Sequence, residues 1–197
     1  MHYFSADPNT ASRPATVRLR AAGLDLELRS DAGVFSRGAI DRGTLVLLRT
    51  VPAPPAGGEL LDLGCGFGPI AVAMAVRSPG ARVWAVDVNR RALELTAANA
   101  AAAGAANVVA AQPDDVPADI RFDAIYSNPP VRVGKERLHG LLQRWLARLR
   151  PGAPAYLVVQ RHLGSDSLAA WLSYGGAEVS RLRSQAGYRV LEVHGPP

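Results

Sequence analysis

The sequence predicts an α/β protein built on a mostly parallel sheet with helices on both faces. Three observations carry that expectation. From Glu59 onward, short apolar runs of strand length alternate with longer segments of helical period, the order in which parallel sheets are made. Those runs are mostly apolar, as strands covered on both sides are. Glycine, proline, asparagine and aspartate punctuate the boundaries between them.

Taken in order, residues 1–15 mix polar residues with breakers and read as an extended arm. Val17-Arg18-Leu19-Arg20 and Leu24-Asp25-Leu26-Glu27-Leu28-Arg29 both alternate, which predicts a hairpin turning at Ala21-Ala22-Gly23. Asp31-Ala32-Gly33 is a turn. Asp41 is placed to cap a helix over Gly43–Val51, which Pro52 ends. Pro52 to Gly58 is a proline- and glycine-rich linker, so residues 1–52 form an N-terminal arm and strand-rich extension packed on a core domain of residues 53–197.

Within the core, Glu59–Leu63 is a short buried strand, Gly64–Gly68 a glycine turn, and Pro69 sits where the first turn of a helix over Ile70–Val76 tolerates proline. Arg82–Asp87 is the second strand. Asn89 caps a helix over Arg90–Ala103, and Gly104 stops it. Asn107–Ala111 and Phe122–Tyr126 are the third and fourth strands. Lys135–Leu149 carries leucines at 138, 141, 142, 146 and 149, an amphipathic helix. Ala155–Gln160 is the fifth strand, and Ser165 or Asp166 caps a helix over Ser165–Leu172. Ala177–Leu182 and Tyr188–Val193 close the chain as an antiparallel hairpin.

Composition bounds the function. The chain has 197 residues, 48% of them hydrophobic, so one domain with a sizeable core is expected. A net charge of +5 and an isoelectric point near 10.0 favour an anionic partner, though only weakly. Arginine supplies 21 of the 22 basic residues and Lys135 the remaining one; a GC-rich coding sequence and a solvated surface account for much of that bias. Cys65 is the single cysteine, which excludes an internal disulfide and permits a reducing compartment. The absence of a secretory or membrane-spanning run adds the expectation of a soluble cytoplasmic protein without a membrane partner.

Two motifs carry chemistry. The first is Asp62-Leu63-Gly64-Cys65-Gly66-Phe67-Gly68, which places glycines at the carboxyl end of a strand, where a ligand can lie against bare backbone. Asp87, closing the next strand in Val86-Asp87-Val88-Asn89, can accept hydrogen bonds from both hydroxyls of a ribose. A glycine turn is also the ordinary way to make a tight strand-to-helix connection. The spacing decides between ligands. The dinucleotide fingerprint is G-x-G-x-x-G, whereas here the glycines run G-x-G-x-G with an acid two places ahead. That pattern favours S-adenosylmethionine, with Asp62 binding its ammonium directly or through water. Asp114 and Asp115, after the third strand, either reach the adenine amino group or form an exposed Asx turn.

The second motif is Ser127-Asn128-Pro129-Pro130. Two prolines fix the backbone past the strand end and remove two amide donors, and Asn128 before proline is held extended. The corner presents one amide side chain and a bare carbonyl, two acceptors for a planar NH2 group. Beyond it, Arg132, Lys135 and Arg137 are cations at a helix start. They oppose the helix dipole there, which favours phosphate binding over a folding role. Arg37 and Arg161 are weaker candidates for the same work.

Together, Asp62–Gly68, Asp87 and Ser127–Pro130 resemble the class I S-adenosylmethionine-dependent methyltransferases. The stretch from Asn128 to Lys135 is similar to the narrower small methyltransferase-domain family that includes bacterial ribosomal RNA guanine-2-amino methyltransferases. His2-Tyr3-Phe4-Ser5 with Pro8, Gly33-Val34-Phe35-Ser36 with Asp41 and Gly43-Thr44, and Gly187–Leu191 resemble the family's arm, pre-fold segment and last strand. The resemblance implies a Rossmann-like fold with seven strands, the last antiparallel. It also implies methyl transfer to a nucleobase amine, most specifically a guanine 2-amino group of ribosomal RNA or the small ribosomal subunit. Asn128, Pro129 and Pro130 would act on the amine. Asp62, Gly64, Cys65, Gly66, Gly68, Asp87, Val88, Asp114, Asp115 and Asn128 would line the cofactor. Phe35, Val131, Arg132, Lys135 and Arg137 would meet the substrate. Where many Asn-Pro-Pro enzymes carry an aromatic, this chain has Val131, so Phe35 or Tyr188 would supply a face for the base, unless both are plain core. Two rivals are a glutamine-amide methyltransferase acting on protein and a non-catalytic RNA-binding assembly module.

Overall fold

The computed structural model describes residues 10–195. The arm motif of His2 to Ser5 with Pro8 lies outside them. An antiparallel hairpin comes first, β1 (Ala15–Ala21) and β2 (Leu24–Ser30). Its two-residue turn, Ala22-Gly23, has φ of 55° and 79°, the twist a tight hairpin requires. Helix α1 (Arg42–Thr50) follows, with the Asp41 carboxylate accepting the Thr44 N–H at 3.2 Å as its cap.

From there strand and helix alternate as the sequence predicts: β3 (Gly57–Leu63), α2 (Pro69–Arg77), β4 (Gly80–Val86), α3 (Arg90–Ala102), β5 (Val108–Ala111), β6 (Ala124–Ser127), α4 (Lys135–Leu146), β7 (Pro154–Gln160), α5 (Ser165–Tyr174), β8 (Glu178–Gln185) and β9 (Tyr188–His194). The core sheet has seven strands in the order β5-β4-β3-β6-β7-β9-β8. Only β9 is reversed, antiparallel to both β7 and β8.

Side chains alternate across the pleat, so each strand feeds both layers. Leu60, Val83, Tyr126 and Val158 face one cluster with α1, α2 and α3. Leu61, Trp84, Ile125 and Leu157 face the other with α4 and α5. Val17, Leu19, Leu28, Val46 and Leu47 of the N-terminal segment belong to the first cluster, continuous with Leu60 and Ile70. Helix α1 lies against β7 and β9.

Several boundaries shift by one to three residues from expectation, and two of the differences change the packing. Helix α4 stops at Leu146 instead of Leu149. Residues 148–150 leave it to pair with Phe122, whose N–H donates to the Arg148 carbonyl and whose carbonyl accepts the Arg150 N–H, each at 2.9 Å. Neither Ser165 nor Asp166 caps α5. Gly164 holds that position at φ 99° without a side-chain bond, and Asp166 in the first turn pairs with Arg181 and Arg189 on β8 and β9.

The strand order reverses between β3 and β6. The chain winds outward from β3 to β4 and β5 on one side, and from β6 to β7 on the other. Such a switch point opens a crevice beyond the strands' carboxyl ends. Leu63 pairs with Ser127 in register, and the Ser127 hydroxyl donates to the Leu63 carbonyl at 2.7 Å. The glycine turn and the Asn-Pro-Pro corner therefore leave the sheet side by side.

Candidate active site at the switch point

An open crevice of about 320 Å³ lies there, lined by Gly64, Cys65 and Gly66 on one side, Asn128 on another, and Phe35, Asp41 and Thr44 from the N-terminal segment. Gly64 and Gly66 hold φ of 76° and 57°, and a Cβ at either would project into open space. Their missing side chains leave that space to a ligand. Gly68 differs from the expectation that it meets the ligand: a Cβ there would stand 2.9 Å from Thr96. It is glycine so that α3 can close on the turn.

Most of the turn's amides are already spent. The N–H groups of Gly64 and Cys65 donate to the Val86 carbonyl at 2.8 and 3.0 Å, Gly68 to the Cys65 carbonyl at 2.9 Å, and Gly66 to Asp87 Oδ2 at 2.9 Å. At the start of α2, Pro69 has no N–H and Ala71 donates to Asp62 Oδ2 at 2.8 Å. A pyrophosphate needs a set of free amides at the helix start, and this turn engages most of them internally.

Asp62 is wholly buried, and its Oδ1 has no partner among the described residues. Burial pushes its carboxyl up to about 8; the Ala71 N–H opposes that rise and the nearby Asp87 charge adds to it. Asp87 closes β4 with Oδ1 accepting the Asn89 N–H at 2.9 Å. Burial raises its carboxyl too, against the pull of those backbone donors. Val88 beside it is exposed. The Cys65 thiol is buried against Thr96 Oγ1 at 3.6 Å, and burial pushes it well above the usual thiol range. This cysteine offers the crevice backbone, not a nucleophile.

Asn128 is half-buried at the crevice wall. Its amide nitrogen donates to Asp41 Oδ2 at 2.8 Å and lies 3.2 Å from Thr44 Oγ1. The expectation of a bare carbonyl at the corner is corrected. The Pro129 carbonyl accepts the Val131 N–H at 2.8 Å in an inverse γ-turn about Pro130 (φ −76°, ψ 70°), and the Pro130 carbonyl accepts the Val133 N–H at 3.1 Å in the 3-10 turn that follows. A carbonyl has two lone pairs, so each keeps one acceptor site.

The remaining sequence candidates separate. Phe35, 47% exposed, borders the crevice. Tyr188 packs against Gly43, at the edge of the first core cluster. Val131 turns away and lines a second cavity with Lys135 and His139. Arg132, Lys135 and Arg137 are exposed, and no hydrogen bond or ion pair holds them among the described residues. Asp114 is engaged by Arg144 at 2.8 Å, while Asp115 is exposed. Arg37 and Arg161 are exposed as well.

Sequence reasoning missed Asp41 and Thr44 as crevice residues. Asp41 was legible as a helix cap, and nothing in its spacing ties it to a residue 87 positions on. Thr96 and Asn99 were also missed. Thr96 donates to the Gly66 carbonyl at 2.9 Å and Asn99 to the Phe67 carbonyl at 2.8 Å, bracing the turn from α3.

This strand order, with its one reversed strand, together with a glycine-lined crevice and an Asn-Pro-Pro corner, defines a methyltransferase domain. The chain belongs to the family described as methyltransferase small domain, whose profile matches residues 25–192. It is similar to YbxB of Bacillus subtilis (strain 168), 32% identical over 195 residues, covering 98% of this chain and 97% of that protein. It is also similar to ribosomal RNA small subunit methyltransferase C of Pseudomonas aeruginosa (strain LESB58), 36% identical over 173 residues, covering 81% of this chain and 52% of that protein. Among solved structures it resembles the T. thermophilus 16S rRNA N2 G1207 methyltransferase, held in complex with AdoMet and guanosine. That match has a TM-score of 0.76 and 27% identity, over 95% of this chain and 52% of the other. The chain thus spans nearly all of YbxB and about half the length of the ribosomal RNA methyltransferases it matches. No helix among the described residues is long and apolar enough to cross a membrane.

Proposed function

We propose that this protein methylates the exocyclic 2-amino group of a guanine in small-subunit ribosomal RNA, with S-adenosylmethionine as donor. The residues present fit that donor. The unpartnered Asp62 Oδ1 suits its ammonium, and Asp87 suits the ribose hydroxyls. Gly64 and Gly66 leave it room, and Val88 with Asp115 suits the adenine. When bound, the donor supplies an electrophilic methyl group.

The observation that carries the reading is Asn128 standing in one crevice with Gly64 and Gly66. An aromatic amine is a poor nucleophile because its lone pair spreads into the ring. Acceptors at Asn128 Oδ1 and at the free lone pair of the Pro129 carbonyl favour a more pyramidal nitrogen, with the pair directed away from the ring. Holding that nitrogen in line supplies much of the rate, and no strong base is required. Phe35 offers the base an aromatic face, the role Val131 cannot fill. Arg132, Lys135 and Arg137 offer charge to flanking phosphates. The target base has to leave its stack, which costs least where it is unpaired.

The test is tritiated methyl transfer to total RNA, small ribosomal subunits and protein in parallel, with the labelled product identified. Label is expected in N2-methylguanosine, and Asn128→Ala should abolish it while cofactor binding by calorimetry persists. Label in protein amides would replace this reading with the glutamine one. Failure to bind the cofactor would favour a non-catalytic module.

A further inference from the structure

We propose that Asp41 is a positioning residue: it sets which end of the Asn128 carboxamide faces the substrate. The inference rests on the methyl-transfer reading of this crevice. A carboxamide has a donor end and an acceptor end of nearly equal shape, and only the acceptor end can receive an N–H from the target amine. Nothing in the Asn-Pro-Pro backbone chooses between them. Asp41 does choose, because a carboxylate only accepts. Its Oδ2 lies 2.8 Å from the Asn128 amide nitrogen, so that nitrogen is drawn toward α1 and Oδ1 is left for the crevice. Flipping the amide would set its oxygen against the carboxylate and present NH2 to NH2, losing one bond and opposing two like partners. Thr44 Oγ1 accepts from the same nitrogen at 3.2 Å, but a hydroxyl can also donate, so the carboxylate alone makes the choice.

The surroundings hold Asp41 to this task. The same Oδ2 accepts the Thr44 N–H at the start of α1, which fixes the carboxylate in place. Gly43 leaves no side chain between that carboxylate and the Tyr188 ring: a Cβ would meet Asp41 Oδ2 and a Tyr188 ring carbon at 2.8 Å each. The substrate's acceptor is thus oriented by a segment 87 residues earlier in the chain.

The variants separate orientation from capping. Aspartate, asparagine and serine cap helices about equally well. Asp41→Ser keeps the cap but is too short to hold Asn128, whereas Asp41→Asn keeps an acceptor oxygen for both bonds. Asp41→Ser is expected to lower kcat by about 10- to 100-fold, the size of one charge-assisted hydrogen bond, with Tm and cofactor affinity near wild type. Asp41→Asn is expected to retain most of kcat. Wild-type kcat in Asp41→Ser, or equal loss in both variants, overturns the proposal. A second measurement needs no variant at position 41. The side-chain 15N–1H pair of Asn128, assigned by its disappearance in Asn128→Ala, should exchange slowly with solvent in the wild-type protein. Fast exchange overturns the orientation. A wild-type protein that shows slow exchange yet methylates no RNA overturns the proposed function and leaves the geometry standing.

Discussion

Asp62→Asn should erase a pH dependence that the wild-type protein carries. In the fold this carboxyl is pushed up to about 8 from an ordinary 3.8, chiefly by burial. The folded state therefore holds a proton between about pH 4 and pH 8 that the unfolded chain has already released. Stability then falls as pH rises through that window, because the folded state binds more protons than the unfolded. Below about pH 4 the effect vanishes, and above about pH 8 it is fully expressed. At 1.36 kcal/mol per pH unit, carrying this buried charge costs on the order of 5 kcal/mol. Asparagine keeps an acceptor for the Ala71 N–H and never ionises. Urea unfolding of the ligand-free proteins at several pH values from 5 to 8 is the assay. The wild type should lose stability relative to Asp62→Asn as pH rises, and the difference between the two removes contributions from other groups. S-adenosylmethionine should flatten the trend, since its ammonium favours the charged carboxylate and its binding strengthens over the same pH window. Each unit below about pH 8 then weakens binding by up to about tenfold in the wild type and little in the variant. Parallel pH curves for the two proteins, with and without cofactor, would refute the assignment of Asp62 as a buried carboxyl that is protonated in the free protein and ionises to hold the donor.

Three further expectations rest on the same crevice. Gly64→Ala and Gly66→Ala each place a Cβ at positive φ, costing about 1–2 kcal/mol of stability, and cofactor affinity by calorimetry should fall further than that; Gly68→Ala should instead lose mainly stability, since its Cβ meets Thr96. Phe35→Leu should leave Tm nearly unchanged and raise KM for RNA, because the ring is 47% exposed; a large drop in Tm would return it to the core. Replacing Arg132, Lys135 and Arg137 together with alanine should reduce the log–log salt slope of RNA binding by about 2, at about 0.7 per phosphate contact; an unchanged slope would assign those charges to solvent.

The order of elements was legible because hydrophobic period and breakers repeat without conflict from Glu59 to Gln160. Both hairpins turn on Ala-Gly, a weaker signal than Asn-Gly, yet alternation on either side located them. Helix ends were less legible. Leu149 continues the heptad-like spacing of α4, but pairing with Phe122 captures it, a long-range preference that no local window contains. In the site, glycines and Asn128 announced themselves by backbone rules. What each glycine makes room for did not show. Gly66 leaves space for a ligand and Gly68 for Thr96, and the two look alike in sequence. Asp41 and Thr44 were hidden for another reason: a helix cap satisfies a local rule completely, so its second bond to Asn128 leaves no mark on the spacing.

Lys135 has a practical consequence. It is the chain's only lysine, it is exposed, and it opens α4 directly after the Asn-Pro-Pro turn. Apart from the terminal amine, an amine-reactive fluorophore has one place to attach, and Cys65 is too deeply buried to compete through sulfur. A single acylation would thus install an optical reporter beside the second cavity, one turn past the Asn-Pro-Pro corner, in the native protein with no engineered residue.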